Sequence, residues 1–265
     1  MEKLISFDLR SDFGFFKKPD VNDGLQLSYN MLHKPALLGI LGAISGMGGY
    51  EEKGRFPEYY ERLAGTLVGI EPLEGFHERG NFAKTVITYT NTVGYANLDG
   101  NLIVHEHTLV RPAYRCYLCL NPSHDEAHRK LYDAIFSGQS HYVPYMGKNE
   151  FHAWWDPGEV AEYGWEPFTP KQDFRVDSLF IRRYPLKGHR KEQDFDVFSL
   201  TKENESSFAY FERLPIYFRD EPGFIQYELA EFAYADWVFS PASEIDSLFR
   251  VVNKKQPKDS IIQLF

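Results

Sequence analysis

Lys3-Leu4-Ile5-Ser6-Phe7-Asp8-Leu9-Arg10 puts Ile5, Phe7 and Leu9 on one face and Leu4, Ser6 and Asp8 on the other, the period-two pattern of a strand. Ser11 to Asn30 is polar and broken by Gly and Pro, which reads as connecting chain. The next stretch, Pro35-Ala-Leu-Leu-Gly-Ile-Leu-Gly-Ala-Ile-Ser-Gly46, starts with proline at a first helical position and predicts a helix. Gly39, Gly42 and Gly46, with Ala43 between them, line one side of it and leave room for another backbone.

Thr85 to Val93 and Asn101 to Val110 are rich in β-branched residues, and Gly94 to Gly100 supplies turn residues between them, so the pair predicts a long hairpin. Arg111-Pro112 bends the chain and Ala113 to Leu120 continues as strand. Ser123 with Glu126 three residues on is a capping-box signature, and Ala127, Leu131, Ala134 and Ile135 give a helical stripe that ends at Gly138. His141 to Tyr145 reads as a short strand. The order strand, helix, strand, strand, helix, strand is that of an α+β, ferredoxin-like or RNA-recognition-type domain, assigned to residues 1–150 and including the long β-hairpin. Residues 151–265 read as a smaller, mostly β region with strands at Phe174–Tyr184, Asp194–Leu200, Ser207–Glu212, Pro215–Arg219 and Tyr227–Phe239.

The 265 residues are 43% hydrophobic and include 22 Phe, 17 Tyr and 4 Trp, a composition that excludes general disorder. Two cysteines make no disulfide framework, and Met1 to Asp20 lacks the blocks of a secretory signal, so a cytoplasmic protein is expected. The most apolar stretch, Pro35 to Gly49, is shorter than a membrane span and argues against a membrane partner. With 29 basic and 38 acidic residues the chain is not coated in positive charge. Residues 1–150 are nearly balanced, 15 basic against 18 acidic, whereas 201–250 hold 4 against 10. A basic island, Arg182, Arg183, Lys187, His189, Arg190 and Lys191, reads equally as a solvated loop and as a phosphate or partner contact.

Cys116-x-x-Cys119 below His105-x-His107 invites a zinc reading, but strand alternation puts the two cysteines on opposite faces, and sheet packing is the simpler account. No metal or other cofactor is therefore expected. His124 and His128 are spaced like a zinc-protease helix, yet Asp125 stands where the general-base Glu belongs, and both read as boundary residues beside Leu131 and Ile135. Neither a G-x-S-x-G elbow nor a phosphate-binding lysine loop is present. Most aromatic residues are expected in sheet cores, leaving a minority to stack on bases.

Four blocks resemble a known family: Phe7-Asp-Leu-Arg-Ser-Asp-Phe-Gly-Phe-Phe-Lys-Lys-Pro19, Lys34-Pro-Ala-Leu-Leu-Gly-Ile-Leu-Gly-Ala43, His105-Glu-His-Thr-Leu-Val-Arg-Pro-Ala-Tyr-Arg115 and Tyr142-Val-Pro-Tyr-Met-Gly-Lys-Asn-Glu-Phe151. Together they resemble the fifth family of CRISPR-associated (Cas) proteins, of the repeat-associated (RAMP) superfamily, in its type I-B form. The resemblance covers about the first 150 residues, and Leu214-Pro-Ile-Tyr-Phe218 and Tyr227 to Tyr234 extend it. It implies a non-catalytic subunit of a Cascade antiviral-defence complex that binds the 5′ handle of the CRISPR RNA and caps one end of the assembly, with the β-hairpin around Gly94 to Gly100 as a thumb folding over the guide. The implied partners are that RNA, the backbone subunit (Cas family seven), the large subunit (Cas family eight) and target DNA within the complex. Phosphate and base contacts would fall to Arg10, Lys17, Lys18, Tyr29, Lys34, His107, Arg111, Arg115, Tyr145, Gly147 and Lys148, with Gly39 and Gly42 allowing close approach.

Two alternatives accompany that reading. A type I-C branch resembling this chain cleaves repeat RNA without metal, and here His107, Tyr29 and Lys34 are available as acid and base. In that branch a lysine precedes the histidine, whereas here Glu106 precedes His107. The other alternative is a structural protein-binding module whose acidic half is its interface.

Overall fold

The structure, a computed structural model, describes residues 2–19, 24–90, 102–183, 208–221, 224–241, 243, 245–252 and 259–265. Its principal elements are β1 (Lys3–Ser11), β2 (Leu25–Tyr29), α1 (Lys34–Ser45), α2 (Glu58–Leu63), β3 (Val68–Pro72), β4 (Lys84–Thr90), β5 (Ile103–Val110), β6 (Ala113–Leu120), α3 (Glu126–Ser137), β7 (Ala161–Pro167), β8 (Phe180–Arg183), β9 (Ala209–Glu221), β10 (Phe224–Ala235), β11 (Leu248–Val252) and β12 (Ser260–Gln263).

The main sheet has the order β12-β11-β7-β1-β6-β3, with every neighbouring pair antiparallel. Phe7 stands opposite Cys116 and Ile5 opposite Leu118. This face meets Leu37, Leu38, Leu41 and Ile44 of α1 and Leu131 and Ile135 of α3 in one buried core. Each fully buried aliphatic or aromatic side chain there contributes about 1.5–3 kcal/mol. The reverse face carries Leu4, Tyr117 and Cys119 against Val251, Ile262 and Leu264. Strands β7, β11 and β12, all from beyond residue 150, thus complete the sheet that starts at Lys3.

Among the described residues three smaller sheets accompany it, one a two-stranded ladder of His77–Glu78 with Asn81–Phe82. The hairpin strands β4 and β5 pair antiparallel, and β5 also pairs in parallel with β2, so that Gln26 sits beside Glu106 and Leu27 beside His107. The third sheet, β8-β10-β9, shares the α1 core through Leu214, Ile216, Ala230 and Phe232. The two stretches expected around Pro215 form one strand with a register shift between Pro215 and Tyr217. β9 is an edge strand, where a residue without an N–H is tolerated.

Four expectations need correction. His141–Tyr145 is loop, with one isolated bridge from Tyr145 to His152, because Pro144 lacks the N–H a ladder needs. The four-strand order is filled differently from expectation: β7 flanks β1 on that side and β3 flanks β6, while the hairpin strands β4 and β5 belong to a separate sheet. The cap of α3 is Asp125, whose carboxylate accepts from His128 N, and not Ser123. His124 therefore precedes the helix, exposed, and shares no helical face with His128. The turn at 94–100, the expected strand at 194–200 and residues 184–191 of the basic island lie outside the described residues. Among the described residues no helix is long and apolar enough to cross a membrane.

Candidate nucleic-acid interface

The N-terminus of α1 is capped by His33, whose Nδ1 accepts from Ala36 N at 3.3 Å. Burial pushes the His33 pKa down to about 3, so the ring stays neutral and keeps the lone pair that the cap requires. The helix ends at Gly46, in the left-handed region at φ 79°, and the chain continues along the helix through Met47-Gly48-Gly49-Tyr50. Gly42 faces Tyr59 of α2 so closely that a Cβ would collide with its side chain; helix packing accounts for this glycine.

Opposite α1, the loop 141–151 is pinned at both ends. His141 N and Tyr142 N donate to Ile44 O and Ala43 O, Phe15 N donates to Met146 O, and Met146 N donates to Phe151 O. Gly147 adopts φ 86°, and a Cβ there would run into the Phe15 carbonyl, so the loop passes the 13–17 segment at the closest approach a backbone allows.

Between these walls lies a cleft of about 860 Å³. Tyr50 (60% exposed), Tyr142 (53%) and Tyr145 (41%) line it with rings open to solvent. Its polar groups include Lys17, Gln26, Glu106 and Lys148. Lys148 Nζ lies 2.6 Å from Glu106 Oε2, 3.5 Å from Glu150 and 3.9 Å from the centre of the Tyr89 ring. Burial pulls the Lys148 pKa down, but hydrogen bonds to Glu106 and Tyr89 outweigh it and hold the ammonium above the usual lysine value. Lys17 is exposed and has no ion-pair partner among the described residues. Flat aromatic rings for stacking, cations for phosphates and a polar floor for base edges are what a single-stranded nucleic acid requires.

Of the residues singled out from the sequence, Lys17, Tyr145, Gly147 and Lys148 come together in this cleft. The others do not. Lys18 is held by Glu212 at 2.7 Å. Arg115 forks onto Asp8 at 2.8 and 3.0 Å on the sheet face that α1 and α3 leave uncovered, and Arg10 pairs with Glu159 at 2.6 Å. Arg111, at φ 51°, lies over the Phe76 ring. Tyr29 is buried edge-on to His33, and buried Lys34 donates to Phe265 O at 3.1 Å. Neither Tyr29 nor Lys34 presents a surface to a ligand, contrary to their expected accessibility, because both ends of the β2–α1 connection are core. His107 leaves β5 on the face opposite Glu106 and does not line the cleft. The negative charge beside it is turned away and paired with Lys148.

Tyr50, Tyr142 and Gln26 were not singled out. The Tyr142–Phe151 block held a signal for one of them, but Tyr50 reaches the cleft only because Gly46 turns the chain back along α1. Cys116 belongs to the helix-side core and Cys119 to the reverse one, on opposite faces of β6. Arg182 of the basic island pairs with Glu231 at 3.5 Å.

No protein-family model matches the chain, and no curated protein does. Solved structures it is similar to include CRISPR-associated proteins and chains of CRISPR effector complexes, together with a functionally uncharacterized protein from Streptococcus mutans. One is a CRISPR protein from Archaeoglobus fulgidus, at 11% identity over 99% of each chain and a TM-score of 0.46. Another belongs to a CRISPR RNA-guided surveillance complex, at 13% identity over 89% of this chain and 91% of that one, with a TM-score of 0.45. A third belongs to a type III-B Cmr-beta complex bound to cognate target RNA, at 9% identity over 91% and 86%, with a TM-score of 0.48.

Proposed function

We propose that the chain is a non-catalytic guide-RNA-binding subunit of a type I-B-like CRISPR RNA-guided complex, and that the cleft holds the 5′ handle of the CRISPR RNA. The observation that carries this reading is the set of open rings, Tyr50, Tyr142 and Tyr145, lining the same cleft as Lys17 and Lys148. The arrangement of β1, α1, β3, β6, α3 and β7, with the fourth strand beside the first, agrees with the ferredoxin-like fold that the family resemblance implies. Local cations can hold a short handle while the acidic C-terminal half faces the implied backbone and large subunits.

Binding is favoured over cleavage because Tyr29 and Lys34 are sequestered and His107 stands apart from the cleft. A general acid and base must both reach the reacting oxygen atoms. The experiment is to incubate the purified chain, in EDTA, with its own labelled repeat RNA and with a pre-cut guide, and to score retention and cleavage on one gel. Retention of the handle-bearing strand uncut is the expected result. Metal-independent cutting overturns the non-catalytic assignment, and the absence of any retention overturns the RNA reading.

A further inference from the structure

The polar floor of the cleft has more hydrogen-bonding capacity than its own contacts use. Gln26 and Glu106 are register partners on the parallel strands β2 and β5, and both line the cleft beside Lys148. Glu106 is 6% exposed, and among the described residues Lys148 is the only donor to its carboxylate, through Oε2. No hydrogen bond within the described residues engages the Gln26 side-chain amide. The groove thus presents, side by side, an amide, a carboxylate oxygen and an ammonium, at the foot of walls lined by aromatic rings.

Such a row complements the edge of a nucleobase, and its chemistry discriminates among the four. A carboxylate accepts and never donates, so it favours a base edge with adjacent donors. Guanine alone carries two, N1–H and N2–H, with the O6 acceptor next to them. Adenine and cytosine offer one amino group beside a ring-nitrogen acceptor. Uracil flanks its one N–H with two carbonyl oxygens, whose lone pairs would face the carboxylate. A nearly buried carboxylate oxygen set against a carbonyl or ring-nitrogen lone pair is repelled where no water intervenes, which sharpens the choice.

Resting on the RNA-binding reading above, we propose that this row selects a guanine in the bound strand, Glu106 accepting from N1–H and N2–H while Lys148 Nζ donates to O6 and Gln26 supplies the flanking polar contact. Lys148 keeps its ion pair in this arrangement: Glu106 and Tyr89 engage two of its three donors, and O6 takes the third in place of the longer contact to Glu150.

The test uses the full chain and fluorescein-labelled nine-residue RNAs: oligouridylate, and the same strand with one central guanosine, inosine, adenosine or cytidine. The guanosine strand is expected to bind about tenfold tighter than oligouridylate, within the range of a bidentate base contact. Inosine, which lacks only the N2 amino group, is expected to lose a substantial part of that preference with the protein unaltered. Glu106→Gln is expected to reduce the guanosine-to-uridine ratio below about threefold, a ratio that a uniform change in affinity does not move. Binding of all strands with equal affinity, or a guanosine preference that inosine and Glu106→Gln both leave intact, overturns the guanine assignment while the RNA reading stands. Failure to bind any strand overturns both.

Discussion

Lys148 Nζ lies 2.6 Å from Glu106 Oε2, and the two side chains are only 23% and 8% exposed. The lysine therefore has a structural duty besides any contact with a ligand. Lys148→Glu would set a second carboxylate against Glu106 and bring it close to Glu150, 3.5 Å from the present ammonium. Breaking a buried pair from one side typically costs about 3 kcal/mol or more, so the variant is expected to unfold at distinctly lower urea concentration. The charge-free double variant Glu106→Gln with Lys148→Gln should recover much of that loss. An unchanged urea midpoint in Lys148→Glu would show that the pair contributes nothing to the fold.

Lys17 separates binding from stability more cleanly, being exposed, lining the cleft and holding no ion-pair partner among the described residues. Lys17→Ala should leave unfolding within about 0.5 kcal/mol of the parent. Its RNA affinity should fall, and the slope of log affinity against log salt should flatten by about 0.7, the value for one phosphate of a single strand. An unaltered slope removes Lys17 from the interface.

Tyr145 tests stacking in the same way. Its ring is 41% exposed and its fixed place in the loop comes from the backbone bridge to His152, which a substitution leaves in place. Tyr145→Ala is expected to weaken single-strand binding by about 1–3 kcal/mol, with Tyr145→Phe close to the parent. Equal losses in both variants would point to the hydroxyl and not to the ring.

The parts of the fold legible in the sequence were those with strong local signals. Alternation in Lys3–Arg10, proline and glycine at the ends of α1, and β-branched runs in the hairpin each mark an element that needs no partner to be recognised. Val68–Pro72 has no such signature: it is short, contains Gly69 and Pro72, and becomes a strand because Tyr114 to Leu118 pair with it on one side while Phe265 bonds Val68 on the other. The site was legible in the same uneven way. Lys17, Tyr145, Gly147 and Lys148 lie in quoted blocks and do meet, whereas Lys34 looks like a surface cation in the sequence and is buried by the distant residues Tyr217 and Phe265. Burial of a single side chain is decided by tertiary neighbours, which a local pattern does not contain.

Gly147 offers a backbone test. At φ 86° an L side chain is strained, and a Cβ would meet the Phe15 carbonyl, a backbone atom with no rotamer to yield. Gly147→Ala should therefore cost more than the roughly 1 kcal/mol of an unhindered left-handed position. It should also displace the loop that carries Tyr145 and Lys148, lowering RNA affinity along with stability. A variant as stable as the parent would mean that the loop can withdraw from Phe15 freely.

Across the sheet face away from α1 and α3, Asp8, Arg115 and Glu71 form one row over β1, β6 and β3. The guanidinium is committed to Asp8, and Glu71 receives the Tyr117 hydroxyl at 2.8 Å. Burial pushes the Glu71 pKa up to about 7; Arg115 and Tyr117 oppose the shift, while Asp177 and Asp8 add to it. A carboxyl whose pKa is higher in the folded chain holds a proton that the unfolded chain releases. Its contribution is therefore fully present below pH 4.5 and is lost as pH rises through 7. Glu71→Gln keeps an acceptor for Tyr117 and removes the titration. The variant's unfolding free energy should rise relative to the parent's between pH 4.5 and 8, by up to about 3 kcal/mol, as measured by urea unfolding at each pH. A difference that stays constant over this interval would show that Glu71 titrates alike in the folded and unfolded chains, and that the Asp8–Arg115 pair leaves it open to water.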